Sequence, residues 1–184
     1  MRSIARRGLS DTTMATVASQ AGLSQGIINL HFKSKERLLV ETLRFVTDDY
    51  RQAWERALEN AGTASDDKLT ALIEVDFEKG VCDRNKLAVW FAFWGEAKSR
   101  PTYRKLCAER DESYLRILTA LCQDVIDEGG FDNLDASIIA SGLAAMSEGL
   151  WLDLLLTPEA MDPERARAIC LTHMASIFTG YFKV

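Results

Sequence analysis

Residues 13–32, TMATVASQAGLSQGIINLHF, decide the fold of this chain. Two short helices that cross steeply need a small residue where they touch, a residue that tolerates positive φ in the turn, and an apolar residue that holds the second helix down. Ala18, Gly22 and Ile28 meet these needs at the spacing of a helix-turn-helix motif. Ser24 can cap the second helix, whose free backbone N–H groups can then approach a phosphate. The stretch therefore predicts a DNA-binding unit.

The second helix of this motif is predicted to read DNA with its outward side. Because Ile28 points inward, the outward residues include a glutamine and an asparagine, which can pair with adenine, and a glycine, which lets the backbone approach the groove. The candidate base-contacting residues are Gln25, Gly26, Asn29 and Leu30, with His31 at the helix end. The candidate phosphate contacts are Thr13, Ser24, Lys33 and Lys35. The alternative is a purely structural pair of helices joined by a glycine turn.

The charges of the chain are divided between a basic start and an acidic remainder. Residues 1–46 contain seven Lys or Arg and three Asp or Glu, a balance of +4 in a chain whose net charge is −5. The other residues contain fifteen Lys or Arg and twenty-four Asp or Glu, a balance of −9. A basic segment favours contact with DNA phosphates. We therefore predict a DNA-binding domain at residues 1–46 and a ligand-binding and dimerisation domain at residues 47–184.

Apolar residues recur at helical spacing through nearly the whole chain. One stripe runs from Leu39 to Leu58, and another, from Leu69 to Phe77, contains one polar member, Asp76. No stretch alternates strictly between apolar and polar residues, so we expect no strands. Gly and Pro mark the breaks between about nine predicted helices, at residues 1–8, 13–20, 24–30, 35–60, 66–79, 84–99, 101–128, 134–156 and 163–182. The predicted fold is all-α, a three-helix N-terminal unit followed by a helical bundle.

The composition disfavours several other classes of protein. No apolar stretch reaches the ~20 residues of a membrane span, and none follows the basic N-terminus, so we expect neither membrane association nor a signal peptide. The four cysteines form no C-x-x-C pair, which favours buried or half-buried free thiols in a reducing cytoplasm. The two histidines have no second metal ligand at a helical step, and no catalytic or phosphate-binding motif is present. We expect no metal, no cofactor and no enzyme; an all-helical enzyme and a helical scaffold without DNA binding are the alternatives.

Residues 83–156 contain an unusual group of aromatic residues and carboxylates on three predicted helices. Trp90 and Trp94 lie one helical turn apart, and Glu148 and Trp151 are neighbours at i, i+3. A quaternary ammonium ion donates no strong hydrogen bonds, so proteins hold it with aromatic rings, each contributing ~0.5–2 kcal/mol, and a nearby anion. We predict such a site at Trp90, Phe91, Trp94, Asp111, Tyr114, Glu148 and Trp151, with the three tryptophans enclosing the cation. An ordinary hydrophobic core is the alternative for these aromatic residues.

Two C-terminal segments combine small and apolar residues at close helical spacing. Small residues let helices approach one another, so these segments predict a two-fold, four-helix interface between two copies of the chain. The candidate interface residues are Ala140, Leu143, Ala144, Ser147, Ala168, Leu171, Ala175 and Phe178. The alternative is that the same residues close the core of a single chain.

The run from Thr12 to Leu39 resembles the N-terminal domain of TetR-family regulators, through its Thr-Thr, Val-Ala, Ala-Gly-Leu-Ser and His-Phe-Lys-Ser-Lys-Glu groups. The resemblance implies an all-helical homodimer whose second and third helices bind a double-stranded DNA operator. Asn29 stands where the family usually has Tyr, so the local DNA contacts are expected to differ. The first helix is shorter than in relatives by about two turns, from which we expect a chain that begins late or is incomplete.

A second resemblance concerns the residues that follow. The stretches VWFAFW at 89–94, RPTYR at 100–104, GLAA at 142–145 and EGLWL at 148–152 are similar to the C-terminal domain of BetI-type repressors. This resemblance implies a repressor that a small molecule, choline or another quaternary ammonium compound, releases from its operator. Glu148 stands where relatives often have Asp. The alternative is a TetR-type regulator of a neutral or aromatic ligand that controls efflux or catabolism.

Overall fold

The computed structural model describes residues 1–182, and this part of the chain is all-helical. It contains nine helices, which confirms the predicted fold class and helix number. The helices are α1 (Arg2–Arg7), α2 (Met14–Ala21), α3 (Gln25–Phe32), α4 (Lys35–Asn60), α5 (Ser65–Asp76), α6 (Arg84–Ala97), α7 (Pro101–Gly129), α8 (Ala136–Leu156) and α9 (Pro163–Ile177).

Side-chain caps explain where six of these helices begin. Thr13, Ser24, Ser34, Asp83, Asp135 and Asp162 each accept a hydrogen bond from a backbone N–H in the first turn of the following helix. These N–H groups have no partner within their own helix, so a cap of this kind stabilises the helix by ~1 kcal/mol. The starts of α2, α3, α4, α6, α8 and α9 are therefore fixed by local sequence.

The first of two compact units comprises residues 1–49 and 83–109. It contains α1 to α3, the first part of α4, α6 and the beginning of α7. Within it α1 packs against α6, and α2 against α3. Arg100 pairs with Glu36 at 2.8 Å and lies over the ring of Tyr103, which joins the start of α7 to the start of α4. The helix-turn-helix thus shares a packing unit with α6.

The second compact unit comprises residues 50–82 and the described residues from Arg110 onward. Within it α9 packs against both α5 and α8. Its largest fully buried side chains include Trp151 and Phe178. The units are defined by packing and not by function, so the division into functional domains at residues 1–46 and 47–184 stays a prediction.

All four cysteines, Cys82, Cys107, Cys122 and Cys170, are buried, in line with the sequence prediction. Burial raises the pKa of the Cys122 thiol to about 12 and that of the Cys170 thiol to about 11. Both thiols therefore stay protonated and behave as small apolar groups.

Among the described helices, α8 alone is long and apolar enough to span a membrane, with a mean hydropathy of 1.4 in its most apolar window. A core helix meets the same criterion, and 39% of that window is buried within the fold. Trp151 and Leu154 are on the buried side, whereas Ile138 and Leu156 are exposed. The helix therefore has one buried and one exposed apolar side.

Candidate DNA-binding surface and ligand cavity

The turn between α2 and α3 has the geometry that the sequence predicts. Gly22 adopts the left-handed conformation, with φ 67° and ψ 26°, and its N–H donates to carbonyl oxygens at the end of α2. Ala18 and Ile28 are buried between the two helices, with 3% and 5% of their surface exposed. A side chain at Gly22 would be strained in this conformation, which explains why glycine is required there.

The predicted base-contacting residues lie together on the exposed side of α3. Gln25, Gly26, Asn29, Leu30 and His31 are all exposed. Leu30 is 77% exposed, which is unusual for a leucine and fits apolar contact with a thymine methyl group.

The four predicted phosphate contacts differ in their surroundings. Thr13 and Ser24 cap α2 and α3, where exposed backbone N–H groups accompany their hydroxyls. Lys33 is exposed and is the one described non-glycine residue with positive φ, 59°. Lys35 is half-buried, and its Nζ donates to the backbone oxygen of Ser10 at 2.5 Å. Lys35 must give up this bond to reach a phosphate, which its sequence position does not reveal.

A cavity of about 220 Å³ lies within the second unit. Four of the seven predicted ligand-binding residues line it: Asp111, Tyr114, Glu148 and Trp151. Sequence analysis missed three further lining residues that carry its chemistry, Tyr50, Asp76 and Arg110. A signal for Asp76 was present in the sequence, since it is the single polar member of an apolar helical stripe.

Asp76 is the buried centre of this cavity. Tyr50 donates its hydroxyl to Oδ1 of Asp76 at 2.6 Å, and Tyr114 donates to Oδ2 at 3.2 Å. Trp151 donates from Nε1 to the backbone oxygen of Asp76 at 2.9 Å. Burial raises the pKa of Asp76 to about 6, although hydrogen bonds from Tyr50, Ser147 and Tyr114 and the charge of Arg110 act in the opposite direction. The carboxylate is thus poised to change charge near neutral pH.

Arg110 supplies the one positive charge among the lining residues. Its side chain is 7% exposed, and its Nη2 lies 3.0 Å from Oε1 of Glu148. The guanidinium also pairs with Asp111 and lies 5.3 Å from the centre of the Tyr50 ring. Burial raises the pKa of Glu148, and the charge of Arg110 limits that increase.

The aromatic rings of the cavity contact one another around these charges. The ring of Tyr50 is 5.6 Å from the ring of Tyr114 and 5.6 Å from that of Trp151, where the contact is edge to face. Burial raises the pKa of both tyrosines well above the usual range, so their hydroxyls stay protonated and remain hydrogen-bond donors. The cavity therefore combines ring faces with carboxylates.

The other three predicted ligand residues, Trp90, Phe91 and Trp94, are not among the residues that line the cavity. They belong to α6 in the first unit, where the ring of Trp94 lies 5.9 Å from Trp90 and 5.1 Å from Phe91. Trp90 is 2% exposed and forms part of the core. This corrects the predicted enclosure of a cation by three tryptophans. Helical spacing showed that Trp90 and Trp94 share a face, but not what that face contacts.

Four of the eight residues predicted for the dimer interface are buried, and the interface itself stays a prediction. Ala140, Leu143, Ser147 and Phe178 are buried within the single chain and cannot reach a partner. Of the other candidates, Ala144, Leu171 and Ala175 are half-buried and Ala168 is exposed. The exposed side of α8 instead presents a stripe at steps of three and four: Ile138, Gly142, Ala145, Gly149, Leu152 and Leu156. We call this set the α8 stripe.

Two family models match this chain, one in its N-terminal part and one in its C-terminal part. Residues 1–42 match the family described as bacterial regulatory proteins, tetR family. Residues 65–179 match the BetI-type transcriptional repressor C-terminal domain. The HTH-type transcriptional regulator BetI 2 of Chromohalobacter salexigens is 32% identical over 184 residues, covering 98% of this chain and 86% of the relative. BetI of Paraburkholderia xenovorans is 34% identical over 163 residues, covering 89% and 81%.

Solved structures share the fold. A transcriptional regulator from Pseudomonas aeruginosa PAO1 superposes with a TM-score of 0.83 at 27% identity, covering 96% of this chain and 85% of that one. A regulator from Saccharomonospora viridis, solved in complex with choline, superposes with a TM-score of 0.80 at 23% identity, covering 94% and 89%. The chain belongs to the TetR family of transcriptional regulators, with a BetI-type C-terminal domain, and is a ligand-responsive DNA-binding regulator.

Proposed function

We propose that this regulator is a repressor that choline, or another small quaternary ammonium cation, releases from its operator. The observation that carries the proposal is the combination of ring faces and carboxylates around one cavity. Tyr50, Tyr114 and Trp151 supply the rings, and Asp76 and Glu148 supply negative charge. Such an ion is held by ring quadrupoles and nearby anions, because it has no strong hydrogen bond to donate.

The charge and size of the cavity favour a small cation over other ligands. Its lining contains three carboxylates against a single guanidinium. Asp76 is also the last residue of α5, so the negative end of that helix dipole adds to the potential. A volume of about 220 Å³ is less than the ~300–1,000 Å³ of sites for drug-sized molecules. A large neutral or aromatic ligand fits this site less well, which disfavours the alternative of efflux or catabolic control by such a ligand.

The similar proteins support the same ligand class. The curated relatives named above are BetI regulators, and the regulator from S. viridis holds choline in its solved structure. The charge of the cavity favours this ligand class independently of the relatives.

The proposed repressor acts in the cytoplasm on a double-stranded DNA operator. We assign base contacts to Gln25 and Asn29 and phosphate contacts to Thr13 and Lys35. Asn29→Ala should relax the base preference at one operator position, whereas Lys35→Ala should weaken binding to all sequences and flatten the salt dependence. Fluorescence anisotropy with operator variants at several salt concentrations measures both effects. An unchanged salt slope for Lys35→Ala would contradict the proposed docking.

The proposed partner is a second copy of the chain, which covers the α8 stripe. An added Cβ at Gly142 or Gly149 would meet nothing within 4 Å in the single chain, so the fold itself does not require glycine there. Two helices can approach closely where both lack side chains, which gives these glycines a role in a two-fold helix contact. Two-fold symmetry would also let two α3 helices enter successive major grooves at ~34–36 Å.

Gly149→Glu tests this interface, since a charge in the α8 stripe should convert a dimer into a monomer without unfolding the chain. Gly95→Glu, an exposed position in α6 with equally open space, is the matched control. Sedimentation at micromolar concentration measures the mass of both variants and of the unchanged chain. A monomeric unchanged chain, or a dimeric Gly149→Glu variant, would refute the proposed contact.

Release of DNA requires that the ligand prefer a different arrangement of the protein. The long helices α4 and α7 each contain residues of both compact units, and they are the proposed route of coupling. A change in the population of the DNA-binding arrangement from 99:1 to 1:99 needs about 10⁴-fold tighter ligand binding to the other arrangement. A smaller difference in ligand affinity between the two arrangements would release only part of the bound DNA.

A DNA-release assay with Glu148→Gln tests the ligand and its counter-charge together. The DNA is the region upstream of the chain's own coding sequence, titrated with choline, tetramethylammonium, glycine betaine, and neutral and anionic controls. We expect choline to displace the unchanged protein, and Glu148→Gln to bind DNA normally but respond about tenfold more weakly, since it loses one anion. Glu112→Gln is the matched control, because Glu112 is exposed on α7 and does not line the cavity.

Two results would overturn the assignment. Displacement by a neutral or anionic control but not by any quaternary ammonium ion would refute the ligand class. Displacement of Glu148→Gln by choline at unchanged potency would refute the role of that carboxylate.

A further inference from the structure

We infer that Arg110 is a built-in competitor of the effector: its guanidinium occupies the positions that an incoming cation needs, and its displacement sets the effector concentration at which the regulator responds. This inference rests on the proposed function, since it requires a cationic ligand.

The contacts of Arg110 are those that a quaternary ammonium ion would make. The guanidinium carbon lies 5.3 Å from the centre of the Tyr50 ring, within the ~6 Å of a cation–π contact. Its Nη2 lies 3.0 Å from a carboxylate oxygen of Glu148, and Asp111 is a second ionic partner. A ring face and an anion are thus already occupied by a cation that belongs to the chain.

A second cation cannot share these partners without cost. Two positive charges on Tyr50 and Glu148 would repel each other, and the repulsion between partly buried charges is stronger than in bulk solvent. The side chain of Arg110 is 7% exposed, so the repulsion is poorly screened. The ligand must therefore displace the guanidinium or bind more weakly beside it.

The same contacts explain how the cavity tolerates its acidic lining without a ligand. Buried carboxylates are costly unless they are paired. The positive charge of Arg110 lowers the pKa of both Asp76 and Glu148, which means that it stabilises their charged forms. Removing the guanidinium should leave the Tyr50 ring and Glu148 without their cationic partner, so an external cation that restores this pairing should bind with more affinity.

Arg110→Gln tests the inference by isothermal titration calorimetry with tetramethylammonium chloride as the probe. We expect the variant to bind tetramethylammonium and choline about tenfold more tightly than the unchanged chain, because the competing charge is gone. Arg110→Lys keeps the buried charge if Arg110→Gln does not fold. Since lysine lacks the planar guanidinium that stacks on Tyr50, we expect a smaller gain, of a few fold. Arg116→Gln, an exposed arginine on the same helix, is the matched control and should bind like the unchanged chain.

The outcomes separate this inference from the proposed function. If the unchanged chain binds tetramethylammonium and the Arg110 variants bind it no more tightly, the competitor role is refuted and the ligand class stands. A parallel titration with glycine betaine tests a second role. If Arg110→Gln loses affinity for glycine betaine but not for tetramethylammonium, Arg110 holds a ligand carboxylate and is again no competitor. If neither the unchanged chain nor any variant binds a quaternary ammonium ion, both proposals fail. Binding to the variant alone supports the inference.

Discussion

Two aromatic clusters of similar composition differ in what surrounds their rings. The α6 cluster consists of Trp90, Phe91 and Trp94, which pack against one another in the first unit. In the cavity cluster, the rings of Tyr50, Tyr114 and Trp151 surround Asp76, and each ring donates a hydrogen bond to that residue. Aromatic content therefore does not mark a ligand site. The second cluster differs because its ring donors converge on buried Asp76 beside open volume, which is why we propose the ligand site there.

The largest expected effect comes from Trp90→Ala, which should lower the free energy of unfolding by about 3–5 kcal/mol, the cost of removing a large side chain from a packed core. Choline affinity of the folded protein should not change, since Trp90 does not line the cavity. Urea unfolding and calorimetric titration measure the two quantities. Trp151→Ala, by contrast, should lose stability and choline binding together.

A Trp90→Ala variant that stayed folded and lost choline binding would contradict this distinction between the two clusters, because the α6 cluster would then contribute to the ligand site. Trp94→Leu offers the same test if Trp90→Ala is too unstable to study. Trp94 is half-buried, so its replacement should cost less stability.

The second prediction concerns pH and follows from the pKa of Asp76, which is raised from 3.8 to about 6. The folded chain binds this proton more tightly than the unfolded chain. Protonation of Asp76 therefore makes its full contribution to the free energy of unfolding below about pH 4. This contribution is lost as the pH rises from about 4 to about 6, by ~2–3 kcal/mol. Asp76→Asn, which cannot ionise, should remove this loss. Chemical denaturation at several pH values measures the slope.

Cation binding should show the opposite pH dependence, because the charged form of Asp76 attracts the ligand. Choline affinity should rise about tenfold between pH 5 and pH 7 and then level off. Glu148, Asp111 and Arg110 also face this carboxylate or its ligand, so Glu148→Gln serves to separate the two acids. A choline affinity that did not vary with pH would contradict a direct role for Asp76.

The smallest expected effects come from a matched pair of hydroxyl deletions, one in each unit. Tyr50→Phe removes the 2.6 Å hydrogen bond to buried Asp76, and should cost about 1–3 kcal/mol because the charged acceptor loses a donor. Tyr103→Phe removes a long, 3.4 Å contact with exposed Glu36, and should cost less than about 0.5 kcal/mol. Thermal unfolding of both variants measures the difference. Equal losses of unfolding free energy would contradict a larger stabilising effect of the hydrogen bonds to Asp76.

The DNA-binding unit could be predicted almost completely from sequence, because its determinants lie within twenty residues. Ala18, Gly22 and Ile28 act through spacing along two short helices, and the structure confirms the turn and the burial. Lys35 is the exception, since its bond to the Ser10 carbonyl depends on where a preceding loop lies.

The cavity could be predicted only in part. Asp111, Tyr114, Glu148 and Trp151 were identified from residue type and resemblance, whereas Tyr50, Asp76 and Arg110 were not. The lining residues come from four helices, α4, α5, α7 and α8. Helical spacing relates residues on one helix, but no spacing rule relates residues on different helices. The dimer-interface residues could not be predicted for the same reason. Helical spacing identifies an apolar stripe, but not whether residues of the same chain or of a second copy pack against it.

The sequence by itself determined the helices, their caps, the helix-turn-helix and the family, because each depends on contacts between residues within a few turns of one another. Only the tertiary structure decided which aromatic cluster is core and which borders a cavity, and that Arg110 lies over the Tyr50 ring and pairs with Glu148. Those outcomes depend on how separate helices rotate and pack, and a helix with two apolar faces, such as α8, leaves that choice to its neighbours.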